Sequence, residues 1–240
     1  RTATADDLAA IGGRLGAAMV ELPLRDAGCL LQSWDELVAL SEAARERGVS
    51  LHADGARIWE SVSYWERSLA DVGALVDSIY VSLYKGLGGS SGALVACPAD
   101  LAGELRSWRQ RMGGTLFSLT APAVGGLIGL RQHVDRFGAY RAWAVDLAAA
   151  LRERGFRTFP DEPHIGTFLV YSPGTADEVN ERVVRFVEER GLVACGLWRD
   201  ADVPGWVQTE LTCYEPAIRH DPAEVAGLMS AAVGEGPPGI

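Results

Sequence analysis

The chain is 240 residues long, 48% hydrophobic and 22% charged, with a formal net charge of −10. That is the composition of an ordinary globular protein of one or two domains with enough apolar side chains to bury a core. The acidic balance, without any Lys/Arg block, excludes nucleic acid as an expected partner, and no apolar run nears the length of a membrane span.

Residues 1–6 have no apolar h-region, so they do not read as a secretion signal. Residues 17–22 predict a buried strand broken by Pro23. Ser33-Trp34-Asp35-Glu36 is a capping box, in which the serine and glutamate side chains each satisfy a free amide at a helix start. Trp34, Leu37, Val38 and Ala44 then share one helical face, and Gly48 stops the helix. The next strand runs through Val49 into His52, and the strand–helix–strand order implies a parallel crossover. Strands are expected at 79–83 and 92–97, the second ended by Pro98. Helices are expected from about 100 to 111, after Thr120, and from 140 to 154. Strands at 156–159 and 166–171, a helix at 176–190, strands at 192–195 and 206–212, and a helix at 223–233 complete the pattern. The Gly/Pro-rich tail, 234–239, reads as disordered.

The fold class is α/β: part of a large domain with a mainly parallel sheet over residues 1–130, then a small α+β domain over 131–240. Cys29, Cys97, Cys195 and Cys213 are far apart and form no Cys-x-x-Cys. They read as reduced, mostly buried thiols of a cytoplasmic protein rather than as two disulfides. His52, His133, His164 and His220 lack the paired spacing of metal ligands, so no metal is expected.

Two segments carry the chemistry. His52-Ala53-Asp54-Gly55-Ala56-Arg57 closes one apolar run, and Tyr84-Lys85-Gly86-Leu87-Gly88-Gly89 closes another, with Lys85 lying 31 residues after Asp54. A carboxylate and a lysine are thus expected at the carboxyl ends of strands, where open α/β sheets bind ligands. Pyridoxal 5'-phosphate needs this pair, a lysine to take its aldehyde and an acid to keep its ring nitrogen protonated. Lys85, one of very few lysines, must lose a proton before it attacks, and burial or a neighbouring cation favours that loss. Its alternative reading is a solvated loop lysine, and that of Asp54 is a turn aspartate before Gly55.

These segments resemble the L-threonine aldolase and β-eliminating lyase family, which has the aspartate aminotransferase type of fold. The resemblance extends through Arg109-Gln110-Arg111-Met112-Gly113-Gly114-Thr115 and more weakly into the C-terminal region. It implies that Arg57 reaches the substrate carboxylate or a ring oxygen of the cofactor; a surface ion pair is the alternative. His52 alternates with Asp54 along the strand, so both face one side, as a site residue or a hydrogen-bonded core histidine. Ser82 faces the cofactor phosphate or the sheet. Arg109, Arg111, Gly113 and Gly114 form either an anion pocket for a neighbouring subunit's phosphate or a solvated helix end. The glycines at 86–92 precede a strand, not a helix, which rejects a nucleotide loop. They more plausibly let backbone pass close to the lysine and to a subunit contact.

The chain also departs from that pattern. Tyr84 replaces the usual serine before the lysine, and residues 21–24 lack the asparagine of aldolases. No carboxylate-binding arginine falls within 206–210, where Arg199 is the candidate substitute.

The expected reaction is retro-aldol cleavage of a β-hydroxy-α-amino acid to glycine and an aldehyde. β-Elimination on a β-substituted amino acid is the runner-up, and a non-catalytic structural subunit is the third reading. The resemblance further implies self-association as a dimer or tetramer. It also implies a large-domain portion, ahead of the 51 residues that precede His52, which carries the phosphate loop. That portion is expected as a separate, cleaved or additional polypeptide.

Overall fold

The structure, a computed structural model, describes residues 1–234; the tail expected to be disordered lies, beyond Gly234, outside the described residues. Its contacts divide into two units, one of residues 1–25 and 30–136, the other of 26–29 and 137 onwards.

The first unit opens with α1 (Ala5–Ala10), β1 (Ala17–Glu21) and α2 (Trp34–Glu46). Ser33 caps α2 as its sequence demands: its Oγ accepts the Glu36 N–H at 3.2 Å, and Glu36 accepts the Ser33 N–H at 2.8 Å. There follow β2 (Ser50–Asp54), α3 (Ile58–Trp65), α4 (Leu69–Gly73), β3 (Ser78–Ser82), β4 (Ala93–Ala96), α5 (Ala99–Arg111) and α6 (Thr120–Gln132). The sheet order is β1-β2-β3-β4, with the first three strands parallel and β4 antiparallel to β3. Strand alternation sorts β2: Leu51 and Ala53 are buried on the side of α2, while His52 and Asp54 stand half-buried on the other. On that second face the register aligns Met19, His52 and Ser78 in one rung and Glu21, Asp54, Tyr80 and Val95 in the next.

Much of this unit's apolar surface is open. Every residue of β4 is exposed, α5 buries none of its residues, and Met19, Met112 and Phe117 stand in solvent. Both β1 and β4 are edge strands whose outer sides have no strand partner among the described residues.

The second unit comprises α7 (Phe137–Arg152), β5 (Arg157–Phe159), β6 (Thr167–Pro173), α8 (Ala176–Arg190), β7 (Arg199–Asp200), β8 (Trp206–Thr212) and α9 (Pro222–Val233). Its sheet, β5-β6-β8-β7, is antiparallel throughout. Leu147 and Leu151, Phe168 and Val170, Val179, Val207 and Met229 build one core between sheet and helices. The strand expected at 192–195 does not form. After α8 ends at Gly191 in the left-handed region (φ 64°), Leu192 and Val193 are exposed, Ala194 is half-buried against the core and Cys195 is buried in it. Further on, the Asn180 side chain donates to the Trp198 carbonyl at 2.8 Å and accepts its N–H at 2.7 Å, satisfying both backbone groups of that one residue. The pairing strand is β7, Arg199 opposite Gln208. Among the described residues, no helix is long and apolar enough to cross a membrane.

Candidate cofactor site

Asp54 is the last residue of β2, and Lys85 follows β3 by three residues. The acid and the amine therefore leave the carboxyl ends of adjacent parallel strands. Gly55 fixes the turn after Asp54: its N–H donates to the Tyr80 carbonyl at 2.8 Å, and a Cβ there would lie 2.9 Å from that oxygen. Asp54 Oδ1 accepts the Ala56 N–H at 3.1 Å, which sets the carboxylate's rotation. Oδ2 has no donor among the described residues. Asp54 and His52 line a cavity of about 360 Å³ with Met19, Ser78, Tyr80 and Val95. His52 is oriented by a 2.8 Å contact between its Nδ1 and Ser78 Oγ.

Lys85 is the sole lysine of the chain, beside 21 arginines. It is half-buried in a loop closed by three backbone bonds: Leu83 N–H to Gly92 (3.0 Å), Gly89 N–H to Leu83 (2.8 Å) and Gly88 N–H to Lys85 (2.8 Å). What comes close to this loop is α6, through Gly125, Gly126 and Gly129. A Cβ on Gly125 would lie 3.1 Å from the Gly89 Cα, and one on Gly129 would overlap the Leu87 carbonyl. Only glycine lets two backbones meet so closely. Leu87 is fully buried under that contact.

Two hydroxyls meet at the end of β3. Residues 80, 82 and 84 follow the strand's alternation, and Tyr80 Oη lies 3.1 Å from the buried Ser82 Oγ. Tyr84 is exposed. The neighbouring Tyr80 and Ser82 hydroxyls, and to a lesser extent the Lys85 charge, lower the Tyr84 phenol from its usual pKa, whereas burial raises that of Tyr80. The sequence singles out Tyr84 only as a replacement for serine; the signal for the cluster was the alternation itself.

The other expected residues fall as follows. Ser82 belongs to the hydroxyl cluster, and its carbonyl accepts the Trp59 indole N–H at 3.3 Å. Arg57 is half-buried at the N-cap of α3, with its Nε withdrawn from solvent. Arg109, Arg111, Gly113 and Gly114 are all exposed at the C-terminal end of α5, where cations complement the helix dipole. Arg111 stacks on Trp108 at 5.2 Å, and the Gly114 N–H closes the end by donating to the Arg109 carbonyl at 2.8 Å. Arg199 belongs to the second unit. It donates to the Gln208 amide oxygen at 2.8 and 3.0 Å when that amide is turned to give its N–H to Tyr171 at 3.2 Å. Lys85, Asp54, His52 and Ser82 are thus gathered by one sheet end, and the α5 arginines form a separate group.

These residues fit pyridoxal phosphate. A half-buried carboxylate with one oxygen lacking a donor suits a protonated ring nitrogen, the neighbouring strand supplies the amine, and the cavity is of small-ligand size. Residues 13–171 match the family described as beta-eliminating lyase. The aldolase vrtJ of Penicillium aethiopicum is 31% identical over 186 residues, 72% of this chain and 44% of that protein. The low specificity L-threonine aldolase of Escherichia coli K12 is 33% identical over 114 residues, 48% of this chain and 34% of the enzyme. A crystal structure from Exiguobacterium sp. 255-15, of a protein assigned as an aromatic amino acid beta-eliminating lyase/threonine aldolase, superposes with a TM-score of 0.89 at 33% identity. That superposition covers 97% of this chain and 66% of the other. The chain therefore spans less than half the length of these two curated relatives.

Proposed function

Because the chain belongs to the beta-eliminating lyase family, we propose that it cleaves the Cα–Cβ bond of a β-hydroxy-α-amino acid, giving glycine and an aldehyde. The cofactor is pyridoxal phosphate, which when bound supplies a conjugated ring that delocalises the negative charge left at Cα. Lys85 would hold it covalently. Asp54 would keep its ring nitrogen protonated, and a fixed anion placed where positive charge must persist needs no reorganisation during the reaction. His52, pinned by Ser78, walls the cavity beside Asp54. Arg57 and Arg199 are the guanidiniums proposed for the substrate carboxylate, and Arg109, Arg111, Gly113 and Gly114 for a neighbouring subunit's phosphate.

One observation carries the reading: Asp54, with an oxygen lacking any donor among the described residues, and the sole lysine leave adjacent parallel strands at the same sheet end. The test is borohydride reduction of the cofactor-loaded protein followed by peptide mapping. An adduct on Lys85 is expected, and an adduct confined to the α-amine would overturn the assignment. β-Elimination remains the second reading, favoured by the family's description, and product analysis separates the two: glycine with aldehyde, or pyruvate with ammonia.

The proposal extends to partners. Two open sheet edges and the exposed apolar residues of β4, α5 and α6 support completion of the first unit by further polypeptide, since soluble proteins seldom leave such edges bare. A symmetric dimer or tetramer is proposed with it. Four free thiols, three of them buried, support a cytoplasmic location.

A further inference from the structure

We propose that Trp59 is a positioning residue for the cofactor: its indole N–H, donated to the Ser82 carbonyl, fixes where the end of β3 stands and so sets the separation of Lys85 from Asp54. This rests on the roles proposed above for Lys85 and Asp54 and names the side chain that keeps the two in step.

The pairing of β3 leaves a gap that the indole fills. Backbone groups alternate along a strand between its two neighbours. On the β4 side, the Leu83 N–H reaches the Gly92 carbonyl at 3.0 Å; on the β2 side, the Tyr80 carbonyl accepts the Gly55 N–H at 2.8 Å. Ser82 is the next residue to face β2. The register of β2 with β3 ends at Asp54 and Tyr80, however, and after Gly55 the chain turns into α3. β2 therefore has no amide opposite the Ser82 carbonyl. Trp59, in the first turn of α3, supplies the donor instead: its Nε1–H reaches that carbonyl at 3.3 Å. Ser82 is 1% exposed, so water is poorly placed to substitute.

This one bond closes a short path between the two groups of the site. Trp59 stands five residues after Asp54, on the helix that the Asp54 turn begins, where the Ile58 N–H donates to the Gly55 carbonyl at 2.9 Å. Ser82 stands three residues before Lys85. On its other side the strand end is held by the Leu83 bond to Gly92 and by the Gly89 N–H, which donates to the Leu83 carbonyl at 2.8 Å. Without the indole, 82–83 would be anchored from that side alone. Pyridoxal phosphate is a rigid ring with its nitrogen and its aldehyde on opposite sides. A carboxylate and an amine that engage both must keep one separation, and a misplacement of about 1 Å removes much of the advantage of a bound reactant.

The test separates the ring from its N–H. Trp59→Phe keeps an aromatic ring and removes the donor. Trp59→His loses the benzene half of the indole but keeps a ring nitrogen in the same place, two atoms beyond Cγ. Wild type and both variants are titrated, without substrate, with pyridoxal 5'-phosphate and with pyridoxine 5'-phosphate. The second ligand carries an alcohol where the first has its aldehyde, so it cannot bond to a lysine, and the ratio of the two affinities reads the contribution of Lys85. Trp59→Phe should lower that ratio by roughly 3–10-fold, the worth of one hydrogen bond, while pyridoxine phosphate binds as before. Borohydride trapping of the adduct on Lys85 should slow with it. Trp59→His should keep the ratio near that of wild type. A general loosening of the fold would weaken both ligands together and leave the ratio unchanged. That result in Trp59→Phe, or a ratio that falls as far in Trp59→His, overturns the proposal. A wild-type protein that binds the two ligands alike and gives no adduct on Lys85 overturns the Lys85 assignment instead.

Discussion

Replacing Gly129 by Ala tests the contact between α6 and the lysine loop. In a helix interior, alanine is favoured over glycine by about 0.5–1 kcal/mol through reduced backbone entropy. Gly103 in α5 measures that gain alone, because nothing lies within 4 Å of where its Cβ would be. At Gly129 the new methyl would overlap the Leu87 carbonyl and lie 2.8 Å from its carbon, and backbone cannot swing aside as a side-chain tip does. Overpacking of this kind costs about 1–3 kcal/mol, so the net effect is a loss of about 1–2 kcal/mol where Gly103→Ala gains up to about 1. A gap of about 2 kcal/mol between the variants corresponds to roughly 4–8 °C in Tm for a chain of this size. Denaturant melts of both, at unchanged slope, give the stability difference directly. Because Leu87 lies two residues past Lys85, Gly129→Ala should also reduce the yield of borohydride adduct. If Gly129→Ala proved as stable as Gly103→Ala, the close approach of α6 to the loop would be refuted.

Asp54→Asn removes the anion while keeping the Ala56 bond acceptor, so cofactor should still be retained while cleavage slows by roughly 10²-fold or more; near-normal turnover would take the ring nitrogen away from Asp54. Thiol labelling of the native protein should modify the half-buried Cys97 first, with Cys195 and Cys213 reacting only on unfolding. Burial pushes the Cys213 thiol from the usual 9.0 to about 12, so its contribution to stability is complete below pH 9 and lost as pH rises towards 12. In Cys213→Ala, the alkaline loss of stability should be shallower, measured by denaturant midpoints across that window.

The positions of Asp54 and Lys85 were legible because both stand at the ends of strands. The strand that carries Asp54 alternates buried with half-buried residues, whereas the strand before Lys85 is half-buried throughout until Ser82. The Ser33–Glu36 box announced α2, but α1 and α4 passed unread because their boxes use aspartate, Thr4 with Asp7 and Ser68 with Asp71. The eight-residue α3 has no side-chain cap to signal it. Residues 192–195 look like a strand because an apolar run has no period of its own; the strand that pairs with β8 instead starts at Arg199. The glycines after Lys85 indicated close backbone approach, and only the folded chain identifies α6 as what approaches.

Residues 26–29 count with the second unit although the chain on both sides of them counts with the first. Leu24 and Leu30 exchange backbone hydrogen bonds of 2.9 and 3.2 Å across the mouth of this excursion, so it is a closed loop and not a slack tether. Gly28 adopts φ +66°, and a Cβ on it would collide with the Phe159 carbonyl. The chain therefore passes between units at 25–26, at 29–30 and at 136–137. One proteolytic cut at the last crossing would leave residues 26–29 of the second unit on the other polypeptide, so neither fragment would carry that unit whole. Recombination that exchanged everything after residue 136 would likewise replace only part of a unit, and the incoming segment would have to accommodate Gly28 as well as fill its own core.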